Sequence, residues 1–433
     1  MFLENTIKYN PKLIQEAVRL HQAGRIPANT YLVDLDMVKR NARIMKKEAD
    51  RYHIKLYFMS KQFNRNPLIS HAIVKSGIPS AVAVETQGAK NLNRYGVPVG
   101  HVGHLVPIPK SEIEDILDMN PEVITIYGVE KAKQISEIAQ KKDKVQDILL
   151  RIRDKDDIIW PNEEGGFSLN DIEKVYLEII KYKGVRVSGL VSFPMFLYCE
   201  KTGKGQPTPN FFSVMLASKK LEKLGANIKQ INSPGDTSTK MIKIISENGG
   251  THGEPGHGLI GTTPWHFYEK LPELPSMVYV NEISHFYGSK AYVFGGGFYV
   301  CYVSGANGFY YNFRKKNYNW VPNALVGNSQ ENIFDKRVPV ISESFLGHSY
   351  HATDYISELY PEPGCELKVG DTVIYGFRAQ VFVTRSYVAV VKGIQSGDPK
   401  LFGVFDRANN LLDEKLYPIK NGEEKVWELI NQV

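Results

Sequence analysis

The chain has 433 residues, 42% of them hydrophobic and 23% charged, with a formal net charge of +6; that is room for one barrel-sized domain of roughly 250 residues and a second of about 150. Lys and Arg are scattered rather than gathered into an arm or stripe, which argues against a nucleic-acid partner, while the mildly basic balance suits anionic small molecules and ordinary solvated surface equally well. Cys199, Cys301 and Cys365 are odd in number, far apart and form no C-x-x-C pair, which argues against a disulfide framework or a cysteine zinc site and for a reducing compartment.

The first residues, MFLENTIKYNPKLIQEAV, carry an early acid and lack a signal-peptide core, and no stretch reaches the roughly 20 apolar residues of a membrane span. A soluble, cytoplasmic protein is expected. From about residue 30 to 264, short apolar β-branched runs alternate with amphipathic segments, the pattern of repeated βα units on a parallel sheet. The predicted strands are 31–35, 55–59, 81–84, 101–105, 123–126, 148–152, 187–191, 228–232 and 250–251. Helical spacing covers 37–52, 66–75, 88–95, 110–118, 129–140, 170–182, 210–224 and 237–248, several opening on an N-capping Asn, Asp or Thr. Eight units predict an α/β fold, a closed (β/α)8 TIM-type barrel over residues 1–270 with its site at the C-terminal strand ends.

After the Pro/Thr-rich stretch GTTPWHFYEKLPELP the period changes to two, with aromatic-rich strands and Gly clusters from 277 to about 405. This predicts an all-β C-terminal domain over 271–433, with a last helix at 421–431.

The strand at 55–59 delivers Lys61 to the mouth of such a barrel, directly after Phe58, Met59 and Ser60. Apolar neighbours disfavour an ammonium and lower its pKa, which is what a Schiff-base lysine requires; taken alone, a strand-end lysine is more often a solvated loop residue. The surrounding text adds more. Pro27-Ala-Asn-Thr-Tyr-Leu-Val-Asp-Leu-Asp36, then Asn41-Ala-Arg43, then a strand ending in Lys61 resemble the opening of the alanine-racemase-like, fold type III pyridoxal-phosphate enzymes, the barrel-plus-β-domain group that includes the basic amino-acid decarboxylases. Over the whole chain the resemblance is to their YhfX-like branch. It implies pyridoxal 5'-phosphate (PLP) held by Lys61, an amino-acid substrate and a head-to-tail homodimer in which each β-domain caps the partner's barrel.

Two loops are candidates for the cofactor phosphate. INSPGDTST lies between a strand and a helix, so Ser233, Gly235, Asp236 and Thr237, with Ser238, are expected to offer small side chains and free N–H groups at a helix N-terminus. HGEPGHG offers Gly256, His257 and Gly258 after the next strand. Tight turn chemistry is the competing explanation of either loop. In the family, alanine racemases carry Arg-Pro-Gly where this chain has Glu254-Pro255-Gly256, the form found in the decarboxylases. A carboxylate facing the pyridine nitrogen favours its protonated form and makes the ring a strong electron sink.

Softer matches follow. Arg151 stands where the family has an arginine near the cofactor's phenolic oxygen, with Arg153 on the same strand face as an alternative. His104 faces the mouth if it shares a strand face with Val102. Phe193 replaces a family histidine. Gly295, in Phe294-Gly-Gly-Gly-Phe-Tyr299, replaces the racemase tyrosine, which puts the standard two-base tyrosine mechanism in doubt and leaves Tyr299 as a candidate. Cys365 resembles the cysteine that decarboxylases donate to a partner's site, and is equally explained as a small buried hydrophobe. His348, His351 and Asp354 have ligand spacing but no fourth ligand, so a polar loop is preferred and no metal is expected.

These residues predict a PLP-dependent racemase or epimerase acting at Cα through a Lys61 Schiff base, with Tyr299, Cys365 or a histidine of the GHSYH loop (His348, His351) as second acid. Decarboxylation, favoured by Glu254 and Cys365, is the first alternative within the enzymes, and lyase or aldolase chemistry on a β-hydroxy amino acid, which a metal on the GHSYHATD histidines would favour, is the next; a non-catalytic PLP carrier is the alternative outside them.

Overall fold

A computed structural model describes residues 2–160, 162–295, 323–340, 355–379 and 386–433. The strand β1 (Thr30–Asp34) precedes eight that close on themselves: β2 (Lys55–Met59), β3 (Ser80–Ala83), β4 (Val99–Val102), β5 (Val123–Ile126), β6 (Gln146–Arg153), β7 (Val185–Val191), β8 (Gln230–Asn232) and β9 (His252–Gly253). Neighbours in that order pair in parallel, β5 joins β6, and β9 returns to β2 through His252 and Gly253. The expected TIM-type barrel is therefore closed. Some of its helices start at a side-chain cap: Asp34 accepts from the Met37 N–H ahead of helix Leu35–Arg51, and Asn66 from Leu68 and Ile69 ahead of Pro67–Lys75.

The second sheet combines β10 (Met277–Tyr287), β11 (Lys290–Phe294), β12 (Asn323–Gly327), β13 (Arg337–Pro339), β14 (Ile356–Leu359), β15 (Thr372–Tyr375), β16 (Tyr387–Lys392) and β17 (Lys400–Phe405). Its path runs β13-β12-β15-β10-β1-β16-β17, with β11 pairing β10 and β14.

That order corrects one expectation. The segment expected to open the barrel is β1, which pairs antiparallel with β10 and parallel with β16 in the second sheet. Alternation along β1 explains its place between two cores. Tyr31 and Val33 point into the cluster shared with the barrel, whereas Leu32 joins Val278, Val280, Ile374 and Ala389 against Leu13, Ile14, Ala17 and Val18 of helix Pro11–Gln22. Tyr31 stacks on Tyr279 at 4.5 Å between ring centroids, which fixes that seam.

No helix among the described residues is long and apolar enough to cross a membrane.

Candidate functional site

The site grows from a junction between β2 and the loop after β9. The Met59 N–H donates to the Pro255 carbonyl at 2.8 Å, so the end of β2 is tied to Glu254-Pro255-Gly256. One residue later the chain turns into the short 3-10 segment Lys61–Phe63, closed by the Arg65 N–H to the Ser60 carbonyl at 2.9 Å. Lys61 is thus half-buried at the barrel mouth, beside the loop that carries Glu254.

Glu254 is buried in a polar network. Its Oε1 accepts from Asn232 Nδ2 at 2.7 Å and lies 2.6 Å from His101 Nδ1. The other nitrogen of His101 meets Thr125 Oγ1 at 2.6 Å, so the arrangement assigns Nδ1–H to the carboxylate and leaves Nε2 to accept from the threonine. His104 Nδ1 is 2.9 Å from Glu254 Oε2, but their alignment is too poor for a hydrogen bond, and Oε2 remains a buried acceptor without one. Burial pushes the Glu254 carboxyl up, but His104 and His101 together hold it well below the usual carboxylate range. Burial also lowers His104, against the pull of Glu254. The nitrogens of His101 and His104 and the carboxylate of Glu254 are close enough to be weighed as metal ligands. However, the 2.6 Å His101–Glu254 distance is that of a hydrogen bond, and ligands around a zinc ion stand about 3 Å or more apart given bond lengths near 2.0–2.2 Å.

His101 was not anticipated. The sequence pattern predicts His104 on a strand at 101–105, whereas β4 ends at Val102 and His104 follows Gly103 in the loop. A histidine inside an apolar barrel strand, three residues before another, was the available signal. His104 is flanked by Phe193, whose ring meets it edge-on at 5.4 Å.

Arg151, on β6, is buried with Nε and Nη1 making no hydrogen bond, while Nη2 reaches the Glu163 carbonyl at 3.4 Å. Its guanidinium lies 5.4 Å from the centroid of the Tyr127 ring; Arg153, on the same strand, is exposed.

The loop after β8 departs from expectation. Ser233 N–H is spent on the His252 carbonyl and Asp236 N–H on the Phe196 carbonyl, so these two do not offer the free donors predicted for them. The start of helix Thr239–Glu247 is closed internally, because the Thr239 N–H donates to the buried Glu273 carboxylate, and Ser238 caps Met241. Gly235 is needed because a Cβ there would stand 2.0 Å from the Phe196 carbonyl oxygen. Thr237 accepts from the Glu254 N–H through Oγ1 at 3.2 Å.

Gly256 and Gly258 pack as closely: a Cβ would stand 2.7 Å from Gln62 Oε1 and 2.5 Å from the Thr237 carbonyl oxygen. Between them His257 is pushed well below its ordinary pKa by burial and then by the positive charges of Arg378 and Lys61. Arg378, which sequence reasoning missed, follows β15 in the second sheet and brings Nη2 to 3.8 Å from the buried Asp236. Burial raises the Asp236 carboxyl and Arg378 opposes that rise. Three nitrogenous groups from two sheets thus converge on a glycine-lined corner, an environment suited to a phosphate.

Tyr299, His348, His351, Asp354 and Cys301 lie outside the described residues. Cys365 is half-buried against the main core, with its N–H on the Glu362 carbonyl. At Gly295, φ is +76° and a Cβ would stand 2.6 Å from Tyr279 Oη, so any side chain there is strained.

The family described as "Alanine racemase, N-terminal domain" matches residues 33–264, and "YhfX-like, C-terminal domain" matches 278–401. Uncharacterized protein YhfX of Escherichia coli K12 is 33% identical over 413 residues, covering 95% of this chain and 100% of that protein. Solved structures of similar fold include D-threonine aldolase from Filomicrobium marinum (TM-score 0.60, 12% identity, 89% of this chain and 96% of that one). Alanine racemase of Clostridium difficile 630 gives 0.57, 17%, 88% and 99%, and D-threo-3-hydroxyaspartate dehydratase from Delftia sp. HT23 gives 0.60, 12%, 87% and 97%.

Proposed function

Because the chain belongs to the alanine-racemase family, in its YhfX-like branch, and the cofactor of that family is pyridoxal 5'-phosphate, we propose that it is a racemase or epimerase acting at the Cα of an amino acid. The observation that carries the cofactor part of this reading is the buried Glu254 carboxylate, held among His101, His104 and Asn232 at the barrel mouth beside Lys61; the choice of racemisation over other chemistry at Cα rests on the family resemblance. A ring N–H is a donor that such a carboxylate accepts.

The residues fit the cofactor. Lys61 is the amine for its aldehyde, Glu254 the partner of its ring nitrogen, and His104 and Phe193 are walls for its face. Gly256, His257, Gly258 and Arg378 line the corner for its phosphate, with Gly235, Asp236 and Thr237 behind them and Ser233 supporting the loop. Arg151 offers two open donors to an anionic oxygen. Bound through Lys61, PLP supplies an electron sink for the pair left when a bond at Cα breaks. Lys61, once displaced by substrate, is placed to hold and return the Cα proton on its own face. Family membership also supports a homodimer, for which size-exclusion chromatography with light scattering is the check, and Cys365 or Tyr299 of a partner chain could then reach the site.

Decarboxylation is the second reading, favoured by Glu254 standing in Glu-Pro-Gly. A non-catalytic carrier is disfavoured because Arg378 brings the second sheet to the same corner. The test is absorption of purified protein before and after borohydride, followed by deuterium exchange at Cα across L- and D-amino acids. A band near about 420 nm, abolished by borohydride and absent from Lys61→Ala, with exchange and no CO2 release, supports the racemase. CO2 release selects the decarboxylase, and absence of the band with added PLP overturns both.

A further inference from the structure

Racemisation needs proton-transfer groups on both faces of Cα, and Lys61 serves one. The other belongs among the side chains at the mouth that no cofactor contact uses. Glu163 stands out. The loop between β6 and helix Ile172–Ile179 lies directly on Arg151 and Tyr127 because two glycines let it: at Gly165 a Cβ would come 3.0 Å from the Tyr127 ring, and at Gly166, where φ is +145°, 2.9 Å from the Arg151 carbonyl oxygen. The Glu163 N–H is anchored on the Trp160 carbonyl at 3.0 Å, and its own carbonyl receives Arg151 Nη2. So seated, the carboxyl group lies in the electrostatic field of both Arg151 and Lys61, and its Oε2 is shut off from solvent with no hydrogen-bond partner among the described residues.

The geometry points to Glu163 as the second proton-transfer residue of the site, working on the face of Cα opposite Lys61; this rests on the Cα-racemase reading above. In one direction the Cα–H bond breaks, the proton passes to the Glu163 carboxylate and the electron pair stays on the substrate carbon. The Lys61 ammonium then gives a proton to the other face. The reverse direction exchanges the roles, and after either one the proton gained by one group and lost by the other is exchanged with solvent water, which resets both for the next turnover. Burial raises the Glu163 carboxyl above its ordinary value against the pull of Arg151 and Lys61, which suits a group that must hold a proton transiently. Among the described residues the charged groups that face it are Arg151, Lys61 and the neighbouring exposed Glu164, with the Tyr127 ring beneath Arg151.

The experiment is Cα deuterium exchange in D2O on the PLP-loaded full chain, wild type against Glu163→Gln and Glu163→Asp, with L- and D-amino acids supplied separately. Glu163→Gln should keep the borohydride-sensitive band and the exchange of one hand, and lose interconversion of the two hands by about 100-fold or more. Glu163→Asp should recover part of it. Interconversion by Glu163→Gln at the wild-type rate overturns the assignment, and so does loss of the band, which would make Glu163 a cofactor-holding residue instead. A wild type that exchanges no amino acid overturns the racemase reading and this assignment with it, a result distinct from an active wild type with an unaffected variant.

Discussion

His101 Nδ1 stands 2.6 Å from Glu254 Oε1, and both side chains are sealed from solvent inside the barrel. A buried charge whose partner is removed loses about 3–5 kcal/mol, because the carboxylate keeps its desolvation cost without its compensation. His101→Ala is therefore expected to lower stability by that order, measured by urea unfolding. Adding Glu254→Gln should return part of the loss, since a neutral amide needs no imidazole. A double-mutant cycle that is additive within about 0.5 kcal/mol would show that the two residues do not act as a pair.

Arg378→Gln removes the cation that the second sheet brings to Asp236 and His257. A hydrogen bond to a charged group contributes about 1.5–3 kcal/mol, so PLP affinity should fall roughly 10- to 100-fold, read by quenching of intrinsic fluorescence on titrating the cofactor-free protein. Inorganic phosphate should protect the wild type against thermal unfolding more than the variant. Equal PLP affinity in both would remove Arg378 from the phosphate corner.

The contrast between Lys61 and Arg378 shows what the chain text can carry. Lys61 sits in a local strand-helix-strand pattern, and Glu254-Pro255-Gly256 and the two glycine loops are contiguous as well, so each was legible in its own few residues. The barrel followed from periodicity for the same reason. Arg378 reaches Asp236 across 142 positions and two sheets, and nothing in Gly376-Phe377-Arg378 announces that contact. Strand Thr30–Asp34 misled because all five of its residues are buried, and a strand covered on both faces has the same unbroken apolar run whichever parallel partner it takes. His101 was hidden in such a run, and the donors at Ser233 and Asp236 were claimed by carbonyls from elsewhere in the chain.

Acid should weaken the fold well above the range where carboxylates titrate. His21 and His266 are lowered to about 4 and His252 to about 3, in each case mainly by burial. A base with a depressed folded pKa takes up its proton more readily in the unfolded chain, so its contribution is fully present above the ordinary value of 6.5 and is lost as pH falls from there toward the folded value. Each unit of difference is about 1.4 kcal/mol, so these three sites alone should bring a clear drop in the urea midpoint between pH 7 and pH 5. Glu254, depressed as an acid, adds its loss only below about 4.5. A midpoint constant from pH 7 to 5 would contradict the neutral buried state of these imidazoles.

Gly166→Ala tests the seat of Glu163 without touching its carboxyl. The substitution forces a side chain onto a backbone at φ +145° and into the Arg151 carbonyl oxygen, 2.9 Å away, with Arg151 Cγ at 3.1 Å. Strain of this kind costs about 1–3 kcal/mol, and the loop can relieve it by lifting away from Arg151 and Tyr127, which carries Glu163 off the mouth. The expected result is slower interconversion of the two hands with the borohydride-sensitive band retained, since the groups around Glu254 and Gly256 belong to other loops. Gly203→Ala is the matched control: its φ is +65° but no atom lies within 4 Å of the added Cβ, so it should lose about 1 kcal/mol of stability with interconversion unchanged. If both variants slow the reaction equally, general destabilisation rather than the position of Glu163 governs the rate.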